Sequence, residues 1–258
     1  MNVTATLPNT LRSSPWHSGH SVSDASVNDC CTSSSWPHDL HRYSYVGMGE
    51  SAPASTLVGR VPAYHRRVEV LLVALGYLLG TIPTAHLVAR RSGNDPTREG
   101  SQNPGASNVY RTVGARAGAL VFGGDALKGI VATAIGLAVE GRMVGLACGA
   151  AAVVGHVLPI TRRLRGGKGV ATACGMIAVL FPLLALAAFV VWGAIVKLTH
   201  TASLASLAVA VLLPVGVAAT GRPAGEVVGV VAVAALVVAR HAGNIRRLAR
   251  GDERTLHA

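Results

Sequence analysis

The feature that most constrains this chain is a series of long apolar runs, separated by basic clusters, that begins near residue 68. The runs lie at roughly 68–89, 117–139, 143–160, 169–198, 202–220 and 225–239. A helix over the 22 residues of the first run would reach about 33 Å, enough for the ~30 Å hydrocarbon core of a bilayer. Composition points the same way: 50% of residues are hydrophobic and only 14% charged, against about a quarter charged in a soluble domain. The net charge of +11 accompanies only 4% aromatic residues, a combination that fits a membrane protein facing anions and not a nucleic-acid binder.

Charge placement orders the runs. Basic residues follow the first run (Arg90, Arg91, Arg98, Arg111, Arg116), the third (Arg162, Arg163, Arg165, Lys168) and the last (Arg240, Arg246, Arg247, Arg250, Arg254). The positive-inside rule puts all three clusters in the cytoplasm. That parity fails if residues 169–198 form one helix, and it is restored if the run breaks near Phe181-Pro182. The expectation is therefore an all-α integral membrane protein of about seven transmembrane helices, some short, with active-site loops on the cytoplasmic face. Arg66 and Arg67 would then sit outside, against the rule. A re-entrant half-helix at 169–181 is the alternative.

Residues 1–66 have a different composition, rich in Ser, His, Asn and Pro and without a long apolar run, and are expected to be a disordered polar extension. They lack the zones of a signal peptide, and translation from Met48 would remove most of them. Residues 67–254 form the membrane domain and 255–258 a tail. Cys30 and Cys31 are adjacent, while Cys148 and Cys174 lie in apolar runs. No metal-ligand spacing results, and no metal or organic cofactor is implied.

Three elements on the basic face carry chemistry. Arg98 to Arg111 reads R-E-G-S-Q-N-P-G-A-S-N-V-Y-R, in which Gly100 and Gly105 let backbone N–H groups converge, Ser101, Asn103, Ser107 and Asn108 supply donors, and Arg111 suits an oxyanion. A turn-rich connector would use many of the same residues. Gly155 to Thr172 holds Lys168 among Gly166, Gly167 and Gly169 just before an apolar helix, a cradle for phosphate. It is not a Walker A loop: Arg162 replaces the leading glycine, and a glycine instead of Ser or Thr follows Lys168. Arg240 to Glu253 reads R-H-A-G-N-I-R-R-L-A-R-G-D-E, which as a helix puts His241 and Asn244 on one face, while its arginines equally suit anionic lipid. In the second apolar run Asp125 and Lys128 stand at i and i+3, a spacing that serves either a supporting role at the site or a structural ion pair. His156 precedes the glycine loop and is placed to orient it.

These elements, in this order, closely resemble the bacterial acyl-phosphate:glycerol-3-phosphate acyltransferases, the PlsY family. The likeness spans about residues 76–253 and includes G-T-I-P-T-A, G-S-Q-N-P-G-A-S-N-V-Y-R, G-D-A-L-K-G, G-H-V-L-P with R-G-G-K-G-V-A-T, and R-H-A-G-N-I-R-R-L with its trailing Gly251 and Glu253. The resemblance implies a seven-helix enzyme of the bacterial cell membrane. It would move an acyl chain from acyl phosphate to the 1-hydroxyl of glycerol 3-phosphate, giving lysophosphatidic acid and phosphate, as the first acylation of phospholipid synthesis. Its partners would be acyl phosphate, glycerol 3-phosphate, membrane lipid and an upstream enzyme that makes acyl phosphate. By position, Ser101, Arg111, Lys168, His241 and Asn244 correspond to the glycerol-phosphate contacts. Ser107, Asn108 and the glycines around Lys168 correspond to residues near the acyl-phosphate phosphoryl group. Lys168, His241 and Asn244 are the candidates closest to the chemistry, with His241 either a general base or a ligand.

Five positions depart from the family pattern: Gln102 stands where Gly is usual, Ser107 for Thr, Thr81 for Ser, and Ala242-Gly243 for Arg-Glu. Gln102 adds a side chain where a backbone approaches phosphate, which would alter acceptor affinity or mark a paralogue with another acceptor. A membrane phosphate transporter would use the same basic loops, but the outer loops G-R-P-A-G-E and E-G-R offer little anion-binding chemistry. A lipid-binding structural protein would need Lys168 only for membrane association. The multi-aspartate motif of CDP-alcohol phosphotransferases and the His-x4-Asp motif of acyl-CoA-dependent acyltransferases are absent.

Overall fold

The computed structural model describes residues 60–256, with side chains from His65 onward. Of the polar extension assigned to residues 1–66, residues 1–59 lie outside the described residues, and 60–66 belong to the first helix. The described chain is helical, without strands: α1 (Arg60–Gly80), α2 (Thr84–Ala89), α3 (Ala106–Thr112), α4 (Ala115–Glu140), α5 (Arg142–Val157), α6 (Val170–Leu180), α7 (Pro182–Thr199), α8 (Ala202–Ala219), α9 (Ala224–Arg240) and α10 (Ala242–Arg250).

The expected break in the fourth run is present. Phe181 separates α6 from α7, and Pro182 opens α7 at its first turn, where a missing N–H leaves no bond unmade. Five segments are long and apolar enough to cross a membrane: His65–Ser92, α4, Arg142–Arg162, α7 and α8. The α9–α10 pair, bent by 57°, makes a sixth if counted as one span. The seventh apolar segment, α6, has only 11 residues and reaches about 16 Å, half a bilayer. The seven segments read from the sequence are thus all helical; α6 is too short to cross alone, and α9 reaches the length of a span only together with α10. The first span is also interrupted, at Thr81–Pro83, between α1 and α2.

Small residues let the helices approach. A Cβ on Gly129 of α4 would come 2.0 Å from the Thr172 carbonyl oxygen, and one on Gly175 of α6 would come 2.0 Å from that of Ala126. Glycine at both positions is what allows α4 and α6 to pack backbone to backbone. Leu146, Val153, Met176, Ile177, Val217 and Val230 of α5, α6, α8 and α9 share one buried cluster. By contrast α7 buries none of its residues.

Both ends of the bundle are tied by charge. At one end Arg142 donates from Nε and Nη2 to the two carboxylate oxygens of buried Glu226, at 2.9 and 2.8 Å, and from Nη2 to the Leu180 carbonyl at 3.1 Å. One guanidinium thereby joins the starts of α5 and α9 to the end of α6. Arg142 and Arg222 also lie over the Phe181 ring, at 5.1 and 5.8 Å. His65 meets Glu140 at 3.2 Å, so Arg66 and Arg67 lie at this same end, where the topology argument placed them against the positive-inside rule. The other end holds the motif-bearing loops.

Candidate active site

The loop after the first span is built around one buried side chain. Asn108 on α3 is 1% exposed, and its amide donates to the carbonyls of Pro96 and Glu99 at 3.0 Å each. Its Oδ1 accepts from the Ser101 N–H at 2.7 Å and the Ser101 hydroxyl at 3.0 Å. Both amide hydrogens are committed to the loop's own backbone, so Asn108 shapes the loop that presents Ser101, Asn103, Gly105, Ser107 and Arg111 to the cavity below.

The glycine loop is held from two sides. Arg240, the last residue of α9, donates to the Gly166 and Gly167 carbonyls at 3.2 and 3.4 Å. Beneath, a Cβ on Gly166 would stand 2.0 Å from the His156 carbonyl oxygen, and one on Gly167 would stand 2.1 Å from His156 Nε2. These two glycines therefore serve close packing on the end of α5. Gly169 and Lys168 line the cavity, whereas Gly166 and Gly167 do not.

His156 belongs to a buried cluster with Asp125 and Lys128. Lys128 Nζ lies 2.7 Å from Asp125 Oδ1 and donates to the Gly80 and Ile82 carbonyls at 3.3 and 3.0 Å, satisfying groups freed where Pro83 interrupts the first span. Those three acceptors use its three N–H bonds, and His156 Nδ1 closes the cluster, 3.2 Å from Lys128 Nζ and 3.5 Å from Asp125 Oδ1, with Nε2 toward Gly167. Asp125 and Lys128 thus form a buried ion pair that bridges the helix break and touches His156, on which Gly167 packs.

Lys168 donates to Asn244 Oδ1 at 2.6 Å, keeping two N–H bonds for other acceptors. Asn244 donates in turn to Glu253 Oε1 at 2.5 Å, and the same oxygen accepts from the Ser203 hydroxyl at 3.0 Å. Arg247 donates to Glu253 Oε2 at 2.8 Å. Burial alone would raise the Glu253 carboxyl, but the hydrogen bonds from Asn244, Arg247 and Ser203 outweigh it and hold the carboxyl below its usual range. Burial pushes the Lys168 ammonium down to about 8, assisted by the charges of Arg247, Arg111 and Arg240 and opposed by Glu253. His241, 2% exposed, donates from Nδ1 to the Val237 carbonyl at 2.7 Å, which leaves a lone pair on Nε2.

These residues surround one cavity of about 670 Å³. Ser101, Asn103, Gly105, Ser107, Asn108, Arg111, Lys168, Gly169, His241 and Asn244 line it, together with Asp125 and His156, while Lys128 stands behind. The cavity continues between apolar walls: Phe122 of α4, Ile177 of α6, Phe189 and Trp192 of α7, Leu213 of α8 and Val230 of α9. Such a shape takes an amphiphile, with a charged head among the loops and an apolar tail along the helices.

A family model described as glycerol-3-phosphate acyltransferase matches residues 70–251. The chain belongs to the glycerol-3-phosphate acyltransferase family. It is 43% identical over 188 residues to the glycerol-3-phosphate acyltransferase of Rubrobacter xylanophilus, covering 72% of this chain and 94% of that protein. To the enzyme of the same name from Myxococcus xanthus it is 46% identical over 187 residues, covering 71% and 97%. Crystal structures of PlsY (YgiH), an integral membrane glycerol 3-phosphate acyltransferase, share its fold. The glycerol 3-phosphate form superposes with a TM-score of 0.70 at 36% identity, over 73% of this chain and 95% of that one, and the lysophosphatidic acid form gives 0.69. The fold of this acyltransferase is accordingly that of a multi-pass integral membrane enzyme.

The sequence reading missed three participants. Glu253 appeared there only as the end of a motif, yet it anchors Asn244. Ser203 and Arg240 were hidden because a serine in an apolar helix and an arginine at a helix end each have a commonplace explanation. Gln102 has φ 59°, the left-handed region that glycine adopts without strain, but its side chain is exposed and does not line the cavity.

Proposed function

We propose that this acyltransferase moves an acyl chain from acyl phosphate to the 1-hydroxyl of glycerol 3-phosphate at the cytoplasmic face of the bacterial cell membrane, releasing lysophosphatidic acid and phosphate. The observation that carries the reading is the cavity itself: its polar end gathers Arg111, Lys168, Arg240, Arg247 and Arg254 within electrostatic reach of one another and of the Glu253 carboxylate. Its apolar end offers a helical wall to a chain. That excess of positive charge suits two phosphate-bearing substrates held together.

Lys168, steered by Asn244, and Arg111 hold the glycerol-phosphate dianion, with Ser101 as a hydroxyl ligand. Ser107, Asn103 and the backbone at Gly105 and Gly169 face the donor's phosphoryl group. Asn108, Gly166 and Gly167 act on both sites through the loops they shape. His241 Nε2, with its lone pair, suits a hydroxyl donor better than an anion, so it orients the attacking hydroxyl. The hydroxyl oxygen forms the new ester bond to the acyl carbon, and the carbon–oxygen bond to phosphate breaks. The hydroxyl proton passes to the departing phosphate oxygen, so no covalent enzyme intermediate is needed. Positioning of this kind is worth about 7–11 kcal/mol of barrier. The activated donor requires an upstream reaction that forms an acyl phosphate.

The test is conversion of radiolabelled glycerol 3-phosphate to lysophosphatidic acid by purified protein, with palmitoyl phosphate or palmitoyl-CoA as donor. Turnover with the acyl phosphate alone is the expected result. Folded protein inactive with both donors would overturn the assignment in favour of a phosphate transporter or an acyltransferase with another acceptor.

A further inference from the structure

Residue 251 ends the family match, and Arg254 lies beyond it. The chain turns at Gly251 (φ 76°) and residues 251–256 run back along the polar end of the cavity. Two anchors hold this strap: the Glu253 carboxylate, with its three donors, and the Leu256 N–H, which donates to the His200 carbonyl at 2.8 Å. Arg254 sits between the anchors and lines the cavity together with Arg111.

The two guanidiniums share a deficiency. Among the described residues neither Arg111 nor Arg254 has an ion pair or a side-chain hydrogen bond. Glu253, the carboxylate whose charge acts on Arg111, is already engaged by Arg247 and Asn244. After burial, the charge of Arg254 is the strongest influence on Arg111, and it opposes the Arg111 charge. Two cations facing one cavity without a counter-ion repel each other, and a dianion between them converts that repulsion into two charge-assisted contacts.

We propose that Arg254 is a second guanidinium ligand for the phosphate of glycerol 3-phosphate, carried by the C-terminal strap and closing on the phosphate from the side across from Arg111. This rests on the reading of the cavity as the glycerol 3-phosphate site. It reassigns Arg254 from the lipid-facing arginines of the last basic cluster to the acceptor pocket.

Arg254→Ala and Arg254→Lys, purified in detergent without anionic lipid, test the assignment by thermal shift with glycerol 3-phosphate and with inorganic phosphate, and then by KM. Arg254→Ala is expected to weaken glycerol 3-phosphate about tenfold, in line with loss of one charged hydrogen-bonding partner. It should leave the KM for acyl phosphate within about twofold and the ligand-free melting temperature unchanged, because the side chain is exposed. Arg254→Lys should recover part of the affinity. Unchanged glycerol 3-phosphate affinity would overturn the proposal, as would a defect seen only with anionic vesicles, which would make Arg254 a lipid anchor. Wild-type protein that binds glycerol 3-phosphate without turning over acyl phosphate would sink the transfer reading while the Arg254 comparison still decides the clamp. Wild-type protein that binds neither anion would remove both.

Discussion

The two ends of this helical bundle use arginine in opposite ways. Where α5 and α9 begin and α6 ends, Arg142 is saturated: both oxygens of Glu226, the Leu180 carbonyl and the Phe181 ring take up its guanidinium. Where the loops lie, Arg111 and Arg254 have no partner among the described residues, and Lys168 spends one N–H of three. The backbone repeats the contrast. All four non-glycine residues with positive φ among the described residues, Gln102, Arg163, Leu164 and His200, lie at the loop end. At the other end the left-handed turns fall on Gly141 and Gly221. A satisfied, unstrained end fixes helix positions; an end with spare charge and strained turns is arranged for something that arrives later.

Removing a cation should therefore have different consequences at the two ends. Lys168→Ala is expected to lower kcat/KM for glycerol 3-phosphate by about 10²–10³, the range for loss of a preorganised group that stabilises charge at a reaction centre, with little change in melting temperature. Steady-state kinetics beside thermal denaturation reads both. At the other end Arg142→Ala strands a buried carboxylate and should destabilise the fold by about 3 kcal/mol while the KM for glycerol 3-phosphate stays put. Replacing Arg142 and Glu226 together by methionine should recover most of that stability, since two apolar groups leave no orphan charge. If Arg142→Ala instead raised KM without altering the melting temperature, the division between the two ends would be wrong.

The position of the helix break was legible in the sequence because two independent constraints, the parity of basic clusters and a proline inside a long apolar run, met at Phe181-Pro182. The gathering of three separate loops into one site was legible through donor-rich motifs alternating with apolar runs. What escaped was the division of labour within each motif. Asn108 and Ser101 look alike as donors, but only burial shows that the Asn108 amide is spent on Pro96 and Glu99. Gly166 and Gly167 read as a phosphate cradle, and only the position of His156 shows that Gly166 also packs on its carbonyl and Gly167 on its imidazole. Glu253 was illegible as a partner of Asn244 because the turn at Gly251 brings together residues nine apart.

Titration sharpens the comparison further. The Lys168 ammonium, lowered to about 8 by burial, loses its proton as pH rises through that value, and with it the attraction for a phosphate dianion. The kcat/KM for glycerol 3-phosphate should be level between about pH 7 and 7.5, where the phosphate is already the dianion, and fall about tenfold per unit above about 8.5, the behaviour of a single required proton. In Lys168→Arg, whose charge persists past pH 12, that limb should vanish even though the different geometry lowers the plateau. An unchanged limb in Lys168→Arg would assign the titration elsewhere.

The smallest effect probes strain. Gln102 holds φ 59° with its side chain exposed, so glycine there removes about 1 kcal/mol of left-handed strain while adding a similar entropy to the unfolded chain. Gln102→Gly should thus shift stability by no more than about 1 kcal/mol, toward the more stable side, and leave the KM for glycerol 3-phosphate unchanged. Thermal denaturation in detergent and a substrate titration measure the two quantities. A fall in KM would mean that strain at this turn holds the Ser101 loop away from the phosphate, because Gln102 directly follows the serine whose N–H and hydroxyl both converge on Asn108. The loop end would then be strained against its ligand, and the contrast with the relaxed Arg142 end would lie in the ground state of the empty enzyme as well as in its unpaired charge.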